Sequence, residues 1–468
     1  MFMTEGSSVA APWAGHVVII NGTKNDWVLE KREQTNNITV WGFPATIRAG
    51  SKVSVPVAWQ EEGAWIREVV ARAGYGIPAT GETFEFQAAF PVNGSRRIQM
   101  WFSNITSVNH PKGSTYSIGW VDGGRTNFVL SGAMVGNYPY DSTYAPPKYA
   151  WMCQNIDRLG GRTLRRLCMP GSHNAGMSSF NAHTIGASKC NTVAQTLTVA
   201  GQLAQGARYF DIRPVRTSGK YATGHYTETG SVLGWQGANG ESIAAIVNDV
   251  NAFLDGDPEF VVLRLSHDLD TDNRPYRPLN QQQYEELLSF LAQNLKYRYV
   301  NPGAADLTQL PLGEFIGYDK VTSHSSVVVV VDPGDATVQI PDSYLKSGFY
   351  PASAFPVVDD YTSTENVDEM ARDQIRLMDE NRTSPDSTVL VLSWTLTQSS
   401  DSAVACQFTT DTSRDIVGLA NKANPEIYDK LWDAITTQRF PNILYTDNVN
   451  QTLNLELALA VNFVTATG

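Results

Sequence analysis

The chain has 468 residues and a formal net charge of −12, with 35 Lys and Arg against 47 Asp and Glu. That balance excludes a protein that grips nucleic acid by wrapping its phosphates in cations, so no nucleic-acid partner is expected. A hydrophobic fraction of 42% is enough for ordinary cores, and the length calls for two domains.

The opening stretch, MFMTEGSSVAAPW, has neither a basic n-region nor an apolar h-region, and no apolar run approaches ~18 residues. The chain therefore reads as soluble, either secreted or cytoplasmic. From His16 to about Ser131 short β-type runs, such as HVVIINGT, KVSVPVAWQ, ETFEFQAAF and RRIQMWFSNIT, alternate with turn residues. This pattern predicts an all-β antiparallel sandwich over residues 1–135. Seven of the 11 tryptophans lie here, at Trp13, Trp27, Trp41, Trp59, Trp65, Trp101 and Trp120. Core packing accounts for most of them, and a few are candidate ligand anchors. GNYPYDSTYAPPKY, within 136–149, is rich in turn formers and is expected to be a linker.

Over residues 150–468 the rhythm changes. Apolar runs end at RRLCMPGSH, RYFDIRP, EFVVLRLSHD, SVVVVVDP, STVLVLSW and NILYTDN, separated by helical stretches such as ESIAAIVNDVNAFLDG and VDEMARDQIRLMDE. Continuous Val/Ile/Leu strands with helices between them mean a parallel sheet covered on both faces, and at least six such units predict an irregular TIM (β/α) barrel. The fold class is thus α/β, a barrel preceded by an all-β domain. Cys153, Cys168, Cys190 and Cys406 show no CxxC spacing, so no zinc site is expected, and a disulfide cannot be paired from sequence.

Each run ends in a polar residue where a strand meets its C-terminal loop: His173, Asp211 with Arg213, His267 with Asp268, Asp332, Trp394 and Asp447, with His225 on the loop after the second strand. Active sites of such barrels are assembled at that face. A neutral imidazole can take a proton from a hydroxyl while an imidazolium gives one to a leaving oxygen. An arginine fork matches the non-bridging oxygens of a phosphate, and a carboxylate on the far ring nitrogen orients the base. Together these groups suit phosphodiester cleavage.

The motifs MPGSHNAGM, GARYFDIRP, GHY, DPEFVVLRLSHDL, SWTLTQ and NILYTDN resemble, in order, those of the phosphatidylinositol-specific phospholipase C X-domain family, nearest to its fungal phospholipase-C-like phosphodiesterases. The resemblance covers about residues 150–460 and leaves out the first domain. It implies that His173 is the base acting on the inositol 2-hydroxyl, that Asp447 orients it, and that Arg213 holds the phosphate. It further implies that His225 protonates the diacylglycerol oxygen and that Asp211 and Asn174 orient these groups. Two departures stand out. Asn174 resembles the calcium-dependent animal enzymes rather than the bacterial ones, and Tyr226 follows His225 where bacterial members have Gly. Because Arg213 puts a fixed positive charge where the animal enzymes hold their ion, no metal and no other cofactor is expected, calcium being disfavoured.

His267 and Asp268 either line the pocket or pair with Arg213, and Trp394 is a core or wall residue; all three are carried as substrate-binding candidates beside Asn174. The expected partners are a phospholipid or phosphoinositide substrate and, transiently, a membrane surface. The alternative function is a catalytically degenerate barrel whose Trp-rich first domain binds lipid or glycan. Glycerophosphodiesterase chemistry would call for a His-Arg-Gly start and acidic metal ligands, and neither is visible.

Overall fold

The computed structural model describes residues 13–35, 37–60, 69–90, 95–108, 110–135, 138–143, 150–230, 234–317, 323–451 and 454–465. It divides into two compact units, Met1–Tyr144 with Tyr428–Asp433, and Ala145–Ile427 with Ala434–Gly468. The opening stretch 1–12 lies outside the described residues, as does most of the stretch expected as a linker; within that stretch Tyr138–Ser142 is an edge strand.

The first unit consists of two sheets. One has the order Tyr138–Ser142, Arg125–Val135, Ala14–Gly22, Lys52–Trp59, Ile38–Trp41. The other has the order Thr46–Ile47, Trp27–Gln34, Val69–Ile77, Glu82–Ala89, Arg97–Trp101, Thr115–Gly119. The ladders are antiparallel except that of Ala14–Gly22 with Arg125–Val135, which is parallel, a pairing the short alternating runs did not indicate. Side chains alternate across a strand, so Val17, Ile19, Val55 and Val57 of one sheet and Phe84, Phe86 and Ala88 of the other enter a single apolar cluster. Trp27, Trp41 and Trp59 belong to that cluster, and Trp13 and Trp120 pack against it. Most of the candidate aromatic anchors are therefore core; Trp65 lies outside the described residues.

The second unit holds eight parallel strands: β1 (Met169–Ser172), β2 (Tyr209–Ile212), β3 (Phe260–Leu265), β4 (Ser326–Val331), β5 (Phe349–Pro351), β6 (Val357–Asp360), β7 (Val389–Ser393) and β8 (Ile443–Thr446). Their order is β5-β4-β3-β2-β1-β8-β7-β6. That is the cyclic order of a (β/α) barrel, with the seam between two short neighbours, β5 and β6. The expected irregular TIM-like barrel is the fold observed.

The outward sides of β2, β3 and β4 carry Phe210, Val261, Leu263, Val327 and Val329, and these pack with Ile243, Ile246, Val247, Val250 and Leu254 of helix Ile243–Leu254. That spacing is one helical stripe, and Ser242 caps the helix by accepting from the Ala245 N–H. An added feature is a small sheet over the barrel's C-terminal end, in the order Trp235–Ser242, Lys220–Glu228, Pro214–Thr217, Leu269–Asp270. No helix among the described residues is long and apolar enough to cross a membrane.

At the opposite end of the barrel, Arg208 and Glu259 precede β2 and β3 and are fully buried. The Arg208 Nε–H donates to Glu259 Oε2 over 2.7 Å, and Glu259 Oε1 accepts from the backbone N–H groups of Met152 and Cys153. Removing one partner of a buried pair strands the other charge. Glu259→Ala should therefore lower the unfolding free energy, measured in urea, by about 3–5 kcal/mol.

Candidate active site

The register of the parallel ladders places the site. Ser172 lies opposite both Thr446 of β8 and Phe210 of β2. The next residue on each strand is thus in one lateral row, Asp447 beside His173 beside Asp211, and Asp211 in turn lies opposite Arg264 of β3. Alternation turns this whole row into the barrel, since Phe210, Leu263 and Leu265 face the helices. The row below it contains Tyr445, Gly171 and Tyr209. A Cβ at Gly171 would come within 2.5 Å of Ile443 Cγ2 and 3.3 Å of Tyr445 Cδ2. Glycine there lets the two tyrosine rings approach to 6.2 Å between centroids, and the Tyr445 ring meets His173 edge-on at 5.3 Å. Three residues at strand ends, Asn174, His267 and Asn448, take positive φ values of 47°, 52° and 47° as the chain leaves the barrel. Asn and His enter that region more readily than most residues.

His173 is held on every side. Its N–H donates to Thr446 O, its carbonyl accepts from Gln195 Nε2 at 2.7 Å, and its Nδ1 lies 2.7 Å from Asp447 Oδ1. Nε2 lies 2.9 Å from Arg213 Nη2. Arginine only donates, so Nε2 carries the lone pair and Nδ1 the hydrogen, which Asp447 accepts. Nε2 thus keeps its lone pair toward the Arg213 guanidinium.

Arg213 also donates through Nε to Asp211 Oδ2 at 2.9 Å. Burial opposes its charge, but Asp211, then Tyr445 and Asp447, more than offset that and raise its pKa. Burial likewise opposes the charge of Asp211, yet Arg213, His173, His267 and the Asn174 N–H hold its carboxyl far below the usual range. The Asn174 N–H and the Ser266 hydroxyl are its other donors.

His225 is not on a loop, as expected, but within the strand Lys220–Glu228 of the added sheet, where the GHY motif pairs with Trp235–Ser242. Its Nδ1–H donates to Thr192 O at 3.1 Å, which leaves Nε2 as the site for a transferable proton. Burial, then the positive charges of Arg213 and His173, push its pKa down to about 3. His173, His225, Arg213 and Asp211 thus lie within one electrostatic neighbourhood, with Asp447 bonded to His173.

The other candidates divide. Asn174 is buried, its backbone turned to Asp211 and its side-chain amide without a hydrogen-bond partner. His267 is exposed, its Nδ1 beside the Ser266 hydroxyl. Asp268 does not pair with Arg213: its carboxylate accepts from the backbone N–H groups of Leu279 and Gly334, so it ties two loops together. Trp394 is fully buried, its indole N–H donating to Ala423 O, and offers no face to a substrate. Asp332 accepts from Arg264 Nη2 at 2.8 Å.

Arg264 and Asp359 were not foreseen. Arg264 also donates to Tyr209 Oη and lies 3.8 Å from Asp359, an exposed carboxylate at the end of β6. The signal for Arg264 was present, a lone cation in the apolar run VVLRLS. Asp359 gave none, because β6 is four residues long and half of them are Asp.

No protein-family profile matches this chain, and no curated protein does. Among solved structures it is similar to a mutant of the phosphatidylinositol-specific phospholipase C from Staphylococcus aureus, at 16% identity over 68% of this chain and 96% of that one, with a TM-score of 0.44. It is also similar to the phosphatidylinositol-specific phospholipase C from Listeria monocytogenes, at 15% identity over 68% of this chain and 98% of that one, with a TM-score of 0.44.

Nitrogen-15 NMR of the histidine rings checks the electrostatics directly. His173 should appear as the Nδ1–H tautomer, and His225 should titrate near 3 rather than at the ordinary 6.5. Unfolded His225 takes up its proton at the higher value and folded His225 only at the lower. Its contribution to stability is therefore lost progressively as pH falls through that window.

Proposed function

We propose that the barrel is a metal-independent phosphodiesterase that cleaves phosphatidylinositol, or the inositol phosphodiester of a glycosylphosphatidylinositol anchor. The observation that carries this is the Asp447–His173–Arg213–Asp211 chain of hydrogen bonds at strand ends, with a second, neutral histidine within electrostatic reach of it. The six motifs shared in order with the phospholipase C X-domain family support it.

His173 Nε2 takes the proton of the inositol 2-hydroxyl, and Asp447 stabilises the imidazolium that forms. The inositol oxygen attacks phosphorus, the bond to the diacylglycerol oxygen breaks, and His225 Nε2 supplies that oxygen with a proton. The products are 1,2-cyclic inositol phosphate and diacylglycerol, with no water consumed. In the free protein Arg213 rests on the lone pair of His173. A phosphate between them draws the guanidinium to its non-bridging oxygens, a better partner for the fork than an imidazole, and this frees the base. The phosphate's negative charge also restores to His225 the proton affinity that burial and Arg213 remove. Arg264, which extends the row on β3, and Asp359 at the end of β6 are a donor and an acceptor that can hydrogen-bond ring hydroxyls of the headgroup. The Arg213 guanidinium supplies the positive charge that a cation would bring, which is why the reading is metal-independent.

With a net charge of −12 the chain gains little from anionic lipid surfaces as a whole. Contact with a bilayer would be local and apolar, and Ile185, Val404 and Phe408 are exposed side chains of that kind. Incubation with phosphatidylinositol, followed by phosphorus-31 NMR, should show cyclic inositol phosphate at the same rate with and without a chelator. His173→Ala should abolish the product, and Arg213→Lys should lower the rate about 10²–10³-fold, as for loss of one transition-state donor. Absence of product from the wild type in both conditions would reject the proposal.

A further inference from the structure

We infer that the Cys190–Cys406 disulfide is a positioning element for the acid histidine, acting through the Thr192 carbonyl; this rests on the phosphodiesterase reading above. Cys190 and Cys406 are joined across 216 residues of sequence. Cys190 lies in a single helical turn, Lys189–Thr192, whose last carbonyl is the acceptor for His225 Nδ1–H. One turn of helix has no stability of its own, because nucleation fixes several residues for one hydrogen bond. What holds this turn is therefore what surrounds it.

Locally, the Ser188 and Asn191 side chains form a capping box, and the Thr192 hydroxyl donates to Ser188 O. Those bonds shape the turn but do not fix its place in the barrel. Besides the His225 contact, side-chain ties from the turn itself to other elements run to one region, Ser400–Phe408: the disulfide, and the Asn191 side-chain amide donating to Ala403 O at 3.1 Å. Gly186, on the approach, is tied both to Gln407 Nε2 through its carbonyl, at 3.3 Å, and to Gln236 Oε1 through its N–H, at 3.0 Å. The covalent link lies two residues from the carbonyl that matters.

Thr192 O sets which nitrogen of His225 is protonated in the resting protein. With Nδ1–H bonded to it, Nε2 is where the proton for the leaving group must be carried. When the turn shifts, the ring loses both its orientation and its tautomer. The base depends on it less, because His173, Asp447, Asp211 and Arg213 are placed by β8, β1 and β2, and the tie from this segment, Gln195 Nε2 donating to His173 O, bears on the backbone and not on the ring. Opening the disulfide should therefore damage proton donation and spare proton abstraction.

Two esters separate those steps. Water-soluble dihexanoyl phosphatidylinositol expels an alkoxide, which needs a proton, and presents no membrane surface. p-Nitrophenyl inositol phosphate expels a phenolate, which leaves without one. They would be compared for the wild type, for the Cys190→Ala/Cys406→Ala double variant, and for the wild type reduced with dithiothreitol. In the last case the dithiol passes two electrons and two protons to the disulfide, giving two cysteine thiols and the cyclic oxidised reagent.

Cleavage of the dihexanoyl lipid should fall about 10-fold or more, as expected for impairing a general acid that itself contributes about 10²–10⁴-fold. The p-nitrophenyl ester should be cleaved at close to the wild-type rate, and reoxidation of the reduced protein should restore the first activity. Equal loss on both esters would make the disulfide merely structural and overturn the inference, as would no loss on either. A wild type that cleaves neither ester overturns the phosphodiesterase reading itself, a separate outcome.

Discussion

The site depends on one constraint, the lateral register of three adjacent parallel strands. Once Ser172 lies opposite Thr446 and Phe210, the residues after them converge with no further adjustment: Asp447, His173 and Asp211 share a row, and Arg264 extends it. A slip of one residue on any of these strands would turn the corresponding side chain toward the helices instead. Gly171 belongs to the same constraint, because a side chain at its position would hold the Tyr445 and Tyr209 rings apart.

Charge is arranged around that row so that each group limits its neighbour. Asp211 holds one edge of the Arg213 guanidinium, and the other edge covers the free nitrogen of His173. The same positive charge, added to burial, keeps His225 neutral. A substrate anion would change both histidines at once, releasing the lone pair of one and raising the proton affinity of the other. In the proposed reaction neither imidazole is committed before phosphate binds.

Much of this was legible in the sequence, because strands buried on both faces read as unbroken Val/Ile/Leu runs and a polar residue ending such a run marks the open end of the barrel. β5 and β6 were not legible: at three and four residues they are too short for a pattern, and Asp359 was missed with β6. His225 read as a loop residue because its strand, KYATGHYTE, is polar and belongs to a small sheet added over the barrel end. Trp394 and Asp268 were singled out for the same reason as His173. A polar or aromatic residue at a strand end can serve the wall as well as the pocket, and only the hydrogen bonds to Ala423, Leu279 and Gly334 tell the two apart. The Cys190–Cys406 pairing depended on tertiary structure alone.

The central claim is that the row formed by Asp447, His173 and Asp211 is where an inositol ring meets its base. A crystal structure of the chain with myo-inositol 1-phosphate, whose phosphate should draw Arg213 from His173, tests it most directly. One ring hydroxyl should lie within about 2.6–3.2 Å of His173 Nε2, with the Arg213 contact to that nitrogen broken and its bond to Asp211 kept. Inositol phosphate bound elsewhere in the barrel, with the Arg213–His173 contact intact, would contradict the account.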